Sequence, residues 1–191
     1  MECCYNGAMP RRQSTLPAIW LVSDARNDAR LESLLARLPR GSGLIYRHYH
    51  LDPFRRRARF DRLAALARRR GHLPALAADA REARRWRARS VYGPAARLAR
   101  GPAALRLVTV HSLAEIGAAR RTRADAILLS PVFLTRSHPG ARALGPLRFR
   151  LLAQRAGVPV IALGGMNAAR ARRIGASHWA AIDGICDRQP C

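Results

Sequence analysis

Short apolar runs recur along the whole chain, and each stops abruptly at glycine, hydroxyl or charged residues. They occupy 18–22, 43–47, 73–77, 90–92, 105–110, 126–129, 158–163 and 178–182. Runs of this length bounded by turn residues predict buried β-strands. Pro74 is tolerated in the third because it falls near a strand start. The intervals carry helical spacing instead. Leu31, Leu34, Leu35 and Leu38 repeat at that period until Pro39 and Gly41 end the segment,. Phe60, Leu63, Leu66 and Ala67 share one helix face, with arginines around the rest,. Residues 80–87 and 147–155 read as further helices, and Ser112 opens another with Glu115 at the capping-box position,.

Eight strands alternating with seven helical patterns predict an α/β protein with a parallel sheet, and that strand number closes as a single (β/α)8 TIM barrel. The barrel is expected over 17–185, between an N-terminal tail at 1–16, read as disordered, and a C-terminal tail at 186–191. An open doubly wound sheet is the competing architecture, but no glycine fingerprint follows the first strand. At 191 residues the chain is short beside barrels of about 250, and too little follows strand eight for a full last helix. The seam between strands eight and one is therefore expected to be poorly covered, with a homo-oligomeric contact there as the resulting hypothesis.

Composition alters this picture little. The 35 basic residues against 12 acidic ones give a formal charge of +23, which ordinarily suggests an anionic polymer as partner. Every basic residue is arginine, however, and Ala, Gly and Pro are abundant, the mark of a GC-rich coding sequence. The arginines recur in 55–57, 68–70, 84–85, 120–121 and 170–173, mostly on segments read as outer helices, with no interleaved aromatic platform,. A solvated face is the simpler account, and nucleic acid is not the expected partner. Small anionic metabolites would still be drawn in. Cys3, Cys4, Cys186 and Cys191 have no partners at zinc spacing and read as thiols of a reducing compartment,. No run approaches a membrane span and no signal peptide is visible, so a cytoplasmic location is expected. Met9 offers a more natural start than Met1.

The candidate chemistry lies at strand C-termini, the catalytic face of such a barrel. Strand six runs into Ser130-Pro131-Val132-Phe133-Leu134-Thr135-Arg136-Ser137-His138-Pro139-Gly140, and strand seven into Gly164-Gly165-Met166-Asn167. Glycine backbone and the Thr135 and Ser137 hydroxyls suit a phosphate cradle. Ordinary strand-to-helix turns would use the same glycines for positive φ. Asp79 is well placed to cap the helix after strand three. Ser112 reads as a cap rather than a nucleophile, since it and His111 point to opposite faces. His48 and His50 could share a face, but the sequence offers them no third ligand.

Trp20-Leu21-Val22-Ser23-Asp24, Val110-His111-Ser112-Leu113-Ala114-Glu115, the stretch from Asp125 through Gly140, and Pro159-Val160-Ile161-Ala162-Leu163-Gly164-Gly165-Met166 together resemble thiamine phosphate synthase and its thiazole-tautomerase relatives. The likeness is specific from Val108 to Ile185 and rests on strand order before that. It implies a barrel that joins hydroxymethylpyrimidine diphosphate to thiazole phosphate with Mg2+, releasing diphosphate by a dissociative route. On the thiazole-phosphate side it implies roles for Thr135, Ser137, Gly164, Gly165 and the Ile182-Asp183 turn, where the family usually has Ser in place of Asp183. On the diphosphate side it implies Arg47 and His138 as catalytic residues, His138 replacing a lysine, with Thr109 in place of a serine and Asp79 as a Mg2+ ligand. The family's other strand-two residues appear as Ile45 and Tyr49, and the carboxylate expected after strand four is absent. Pro131 stands where the tautomerase branch places a histidine. Besides the synthase, the resemblance admits a non-catalytic barrel of the same family that senses or sequesters a phosphorylated ligand, or a thiazole tautomerase.

Overall fold

Strands β1 (Ile19–Val22), β2 (Gly43–Tyr46), β3 (Leu73–Leu76), β4 (Ser90–Pro94), β5 (Leu105–Val110), β6 (Ala126–Leu129), β7 (Val160–Leu163) and β8 (His178–Ala181) pair in parallel, in chain order, to form a closed barrel. The computed structural model describes residues 16–99, 101, 105–136, 140 and 142–185. Between the strands lie α1 (Leu31–Arg37), α2 (Pro53–Arg69), α3 (Ala80–Arg85), α4 (Ala95–Leu98), α5 (Leu113–Arg121), α6 (Gly145–Gln154) and α7 (Ala168–Ile174), with a 3-10 turn at Ala25–Arg30 ahead of α1. Strands buried on both faces explain the near-continuous apolar runs.

Alternation within each strand sorts the core into two layers. Trp20, Val22, Ile45, Ala75, Leu107, Leu128, Ile161 and Ala180 fill the barrel interior. Leu21, Leu44, Leu76, Val108, Ile127 and Ala162 face outward and meet the helices through Leu35, Phe60, Leu63 and Ile116. Gly43 has a specific reason to be glycine. A Cβ there would sit 2.1 Å from the Trp20 indole, whose Nε1–H donates to the Pro17 carbonyl at 2.8 Å. The largest side chain of the barrel floor thus fits only because its neighbour on β2 has none.

The helices after the strands are opened by polar caps: Asp52 for α2, Asp79 for α3, Ser112 for α5 and Asn167 for α7. Glu115 bonds back to the His111 N–H at 3.0 Å rather than to that of Ser112, one residue beyond the usual capping box,. Two departures from expectation follow from strand pairing. β4 reaches Pro94 because Gly93 and Pro94 register with Val108 and Thr109, and α4 begins directly after it. β7 starts at Val160, since Pro159 has no N–H to give a ladder,.

The seam between β8 and β1 differs more. Ile19, Trp20 and Leu21 register with Trp179, Ala180 and Ala181, and the outward Leu21, Trp179 and Ala181 are all buried. Among the described residues no helix follows β8, yet these outward residues of the seam are not left exposed. The tails, with Cys3, Cys4, Cys186 and Cys191, lie outside the described residues, apart from Leu16. No helix among the described residues is long and apolar enough to cross a membrane.

Candidate functional site

The inward register continues past the strand ends and determines what reaches the barrel mouth. Ile45 is followed two residues on by Arg47, Leu107 by Thr109 and His111, Leu128 by Ser130, and Leu163 by Gly165. Arg47, Thr109, His111, Ser130, Leu163 and Gly165 line one cavity of about 710 Å3 at the C-terminal face, with Tyr92 from β4 and Ile182 beyond β8. That volume suits a small-molecule ligand. Of the residues expected at the site, Arg47, Thr109, Thr135, Gly164, Gly165, Ile182 and Asp183 are brought together here. Ser137 and His138 lie outside the described residues.

The wall formed by the β6 and β7 tips is built on glycine. Gly164 and Gly165 have φ of 95° and 59°. A Cβ on Gly164 would lie 2.7 Å from Pro131, and one on Gly165 2.5 Å from the Leu134 carbonyl oxygen. Both left-handed backbone and close approach therefore exclude a side chain. The Phe133 N–H donates to the Gly164 carbonyl at 3.1 Å. Because a trans peptide points its C=O and N–H in opposite directions, that bond turns the Gly165 N–H away from the β6 loop. Arg170 donates to the Gly165 carbonyl and lays its guanidinium 5.0 Å from the centroid of the Phe133 ring.

Arg47 stands opposite, just past the end of β2, which lies four strands round the ring from β6. Its N–H donates to the Ser23 hydroxyl at 2.8 Å, and its carbonyl accepts from Arg56 Nε at 2.9 Å. Arg56 also donates to the Ala77 carbonyl and to Glu82. This arginine of the 55–57 run is buried, not part of a solvated face, and ties the ends of β2 and β3 together. Arg170 is exposed, as the solvated reading of 170–173 has it, and it also lines the cavity.

Charge at the rim is paired. Arg26 bonds Asp24 at 2.9 Å and approaches Asp183 at 3.4 Å; Arg136 lies 3.4 Å from Asp183, and Arg47 3.9 Å from Asp24. Burial raises the Asp24 carboxyl, but hydrogen bonds from Arg26 and the charges of Arg26 and Arg47 outweigh it and hold the group below the ordinary value,. The Asp183 carboxylate on the glycine side of the cavity thus has arginine partners to hold it. Burial pushes the Tyr92 phenol up to about 12, against the pull of Arg47, so this residue meets a ligand as a neutral O–H.

Asp79 lies elsewhere. Its Oδ1 accepts the Glu82 N–H at 2.8 Å, capping α3, and it lines a separate depression with Arg81, Arg84 and Arg85. Mg2+ asks for an octahedron of oxygen ligands, usually one or two carboxylates with waters and substrate phosphates. One carboxylate already spent on a cap and flanked by three arginines does not make a magnesium site by itself.

Two cavity residues, Tyr92 and His111, are not among those expected at the site, although alternation marks both. His111 is two places beyond Thr109 on the same face, and its Nδ1 lies 2.7 Å from the Ser130 carbonyl. Nothing in the sequence distinguishes Arg170 from its neighbours. The structure also supplies what the sequence withheld from His48 and His50: Asp28 joins them, with one ligand atom of each within 4.8 Å of the others.

The profile of the thiamine monophosphate synthase family matches residues 19–185. The putative thiamine-phosphate synthase 2 of Aquifex aeolicus (strain VF5) is 39% identical over 59 residues, covering 31% of this chain and 32% of that protein. The alignment thus spans about a third of the length of that curated relative. A thiamine phosphate pyrophosphorylase from Pyrococcus furiosus superposes with a TM-score of 0.71 at 23% identity, over 87% of this chain and 85% of its own. A second, from Bacteroides thetaiotaomicron, gives 0.56 at 15% identity, over 92% and 87%. At such identities the likeness to solved structures speaks for the fold.

Proposed function

The chain belongs to the thiamine monophosphate synthase family, and from that membership we propose that it makes thiamine phosphate, joining hydroxymethylpyrimidine diphosphate to thiazole phosphate. One observation carries the reading. A single cavity has the glycine wall with Thr135 on one side and the Arg47 guanidinium on the other, as a reaction between two phosphorylated substrates requires.

In this reading the C–O bond between the pyrimidine methylene and diphosphate breaks, and the electron pair leaves with diphosphate. The thiazole nitrogen then donates its lone pair to that carbon, and the product carries the positive charge as a thiazolium. No side chain need act as nucleophile. The protein's task is to hold both partners and to balance charge as it moves. Arg47 serves the departing diphosphate with charge-assisted hydrogen bonds. The Gly165 N–H, the Thr135 hydroxyl and the turn at Ile182-Asp183 serve the thiazole phosphate, with Ser137 and His138 completing the loop. Tyr92 offers a neutral donor, Thr109 a hydroxyl, and apolar Leu163 keeps water from the cationic carbon. Magnesium would accompany the diphosphate, with most of its ligands supplied by the substrate phosphates and water.

The position of Asp183 on the glycine wall and of Asp79 away from the cavity favours a second reading, a barrel that binds a phosphorylated ligand without turnover. Incubation with both substrates, with and without Mg2+, followed by chromatography for thiamine phosphate, separates the two. Product formation supports the synthase. Thiazole phosphate binding by calorimetry without product supports the binding protein.

A further inference from the structure

The turn after β2 holds a constellation that the synthase reading does not use. His48 has φ 41°, a conformation that non-glycine residues rarely adopt,. Its buried ring stacks on Tyr46, with centroids 4.7 Å apart, and lies 4.9 Å from the exposed ring of His50. Asp28 approaches from the 3-10 turn after β1, with Oδ1 2.8 Å from His48 Nε2. None of the three lines the mouth cavity, although Arg47 and Tyr49, which alternate with the histidines, both do.

We propose that Asp28, His48 and His50 form a binding site for a divalent transition metal of the zinc class, separate from the substrate cavity, which pins the turn carrying Arg47 and Tyr49. Two imidazole nitrogens and one carboxylate oxygen are a donor set suited to zinc and its neighbours rather than to magnesium or calcium. Three protein ligands, one of them exposed, leave a coordination position for water.

The surroundings are those of a supported ligand. The Ser23 hydroxyl lies 2.8 Å from His48 Nδ1, so the ring is held from behind, as metal-bound histidines commonly are. With no ion present, Ser23 O–H donates to Nδ1 and Nε2–H donates to Asp28. With an ion, the ring proton sits on Nδ1 and is donated to the Ser23 oxygen, which frees the Nε2 lone pair. The proton count is the same in both states. Arg59 also binds Asp28 through Oδ1, at 2.8 Å, while Asp28 Oδ2 takes no bond among the described residues and is left for the ion. The Arg59 charge is itself met by both oxygens of Glu32.

Because Ser23 accepts from the Arg47 N–H as well, an ion here would stiffen the backbone that carries Arg47. The test uses the metal-free full-length chain titrated with Co2+ and read by visible absorption. One equivalent should bind without a near-ultraviolet thiolate-to-cobalt band and be displaced by Zn2+. His50→Ala, at an exposed position, should weaken binding at least tenfold while leaving the metal-free melting temperature unchanged. Zn2+ should raise the melting temperature of the parent and not of the variant. Absence of binding, equal binding by parent and variant, or a spectrum showing only thiolate ligation, as the cysteines at the chain ends would give, overturns the assignment.

Discussion

Replacing Arg56 by Met tests whether the barrel rim depends on one buried guanidinium. The side chain makes three bonds: to the Arg47 carbonyl at 2.9 Å, the Ala77 carbonyl at 2.9 Å and Glu82 at 3.0 Å. It is also packed against aromatic rings, 5.0 Å from the Trp86 centroid and 5.6 Å from that of Tyr49. Methionine keeps the aliphatic stem and ends level with Nε, so the loss is that of the guanidinium, its three hydrogen bonds and its place over the rings. Hydrogen bonds to a charged group contribute about 1.5–3 kcal/mol each, and removing the cation also strands two carbonyls. Against this, Glu82 retains Arg97 at 4.0 Å and has some access to water, and the guanidinium no longer has to be desolvated. The net expectation is a loss of about 3–5 kcal/mol, in the range for breaking a buried pair. For a chain of this size that lowers the melting temperature by roughly 6–20 °C. Urea unfolding followed by far-UV circular dichroism measures it, with Arg57→Met, a more exposed neighbour, as control. A loss below about 1 kcal/mol would refute the reasoning, because the three bonds would then have been no better than those water supplies.

Arg47→Met should behave in the opposite way, lowering kcat/KM for thiamine phosphate formation about 10- to 100-fold, the equivalent of one charge-assisted bond. Its unfolding free energy from urea titration should change by less than about 1 kcal/mol, since Asp24 lies 3.9 Å away and keeps Arg26,. Gly165→Ala forces a side chain into left-handed backbone at φ 59°, 2.5 Å from the Leu134 oxygen. It should cost about 2 kcal/mol and weaken thiazole phosphate binding by calorimetry; a variant that binds normally would count against the glycine wall. Hydrogen bonds from Arg59, opposed by burial, hold the Glu32 carboxyl down at about 2. A depressed carboxyl stabilises the fold above its unfolded pKa and loses that contribution as pH falls towards the folded one. Stability should therefore drop between about pH 4.5 and 2, by about 1 kcal/mol after screening of this partly exposed pair. Urea midpoints for Glu32→Gln that fall in parallel with the parent over that range would exclude the pair.

Much of the site was legible because strand alternation is a local rule. Once Ile45, Leu107 and Leu163 are assigned to the interior, Arg47, Thr109 and Gly165 must follow at the mouth. The same rule points to His111, on the face opposite the cap Ser112. Asp79 shows the limit of parity. It continues the inward series of Ala75 and Ala77, yet the chain has already turned into α3, and its carboxylate serves the first amides of that helix.

Periodicity and turn residues in the sequence sufficed for the strand count, the barrel and the face on which the candidate cavity opens, because backbone pairing and burial are repetitive demands that each segment answers for itself. Which charges are solvated and which are buried needed the tertiary structure. Arg55, Arg56 and Arg57 are indistinguishable as letters, and only the meeting of β2, β3 and α3 buries the middle one. The approach of Asp28 to His48 and His50 is of the same kind, since distance in space between strand tips is set by closure of the ring and not by any spacing along the chain.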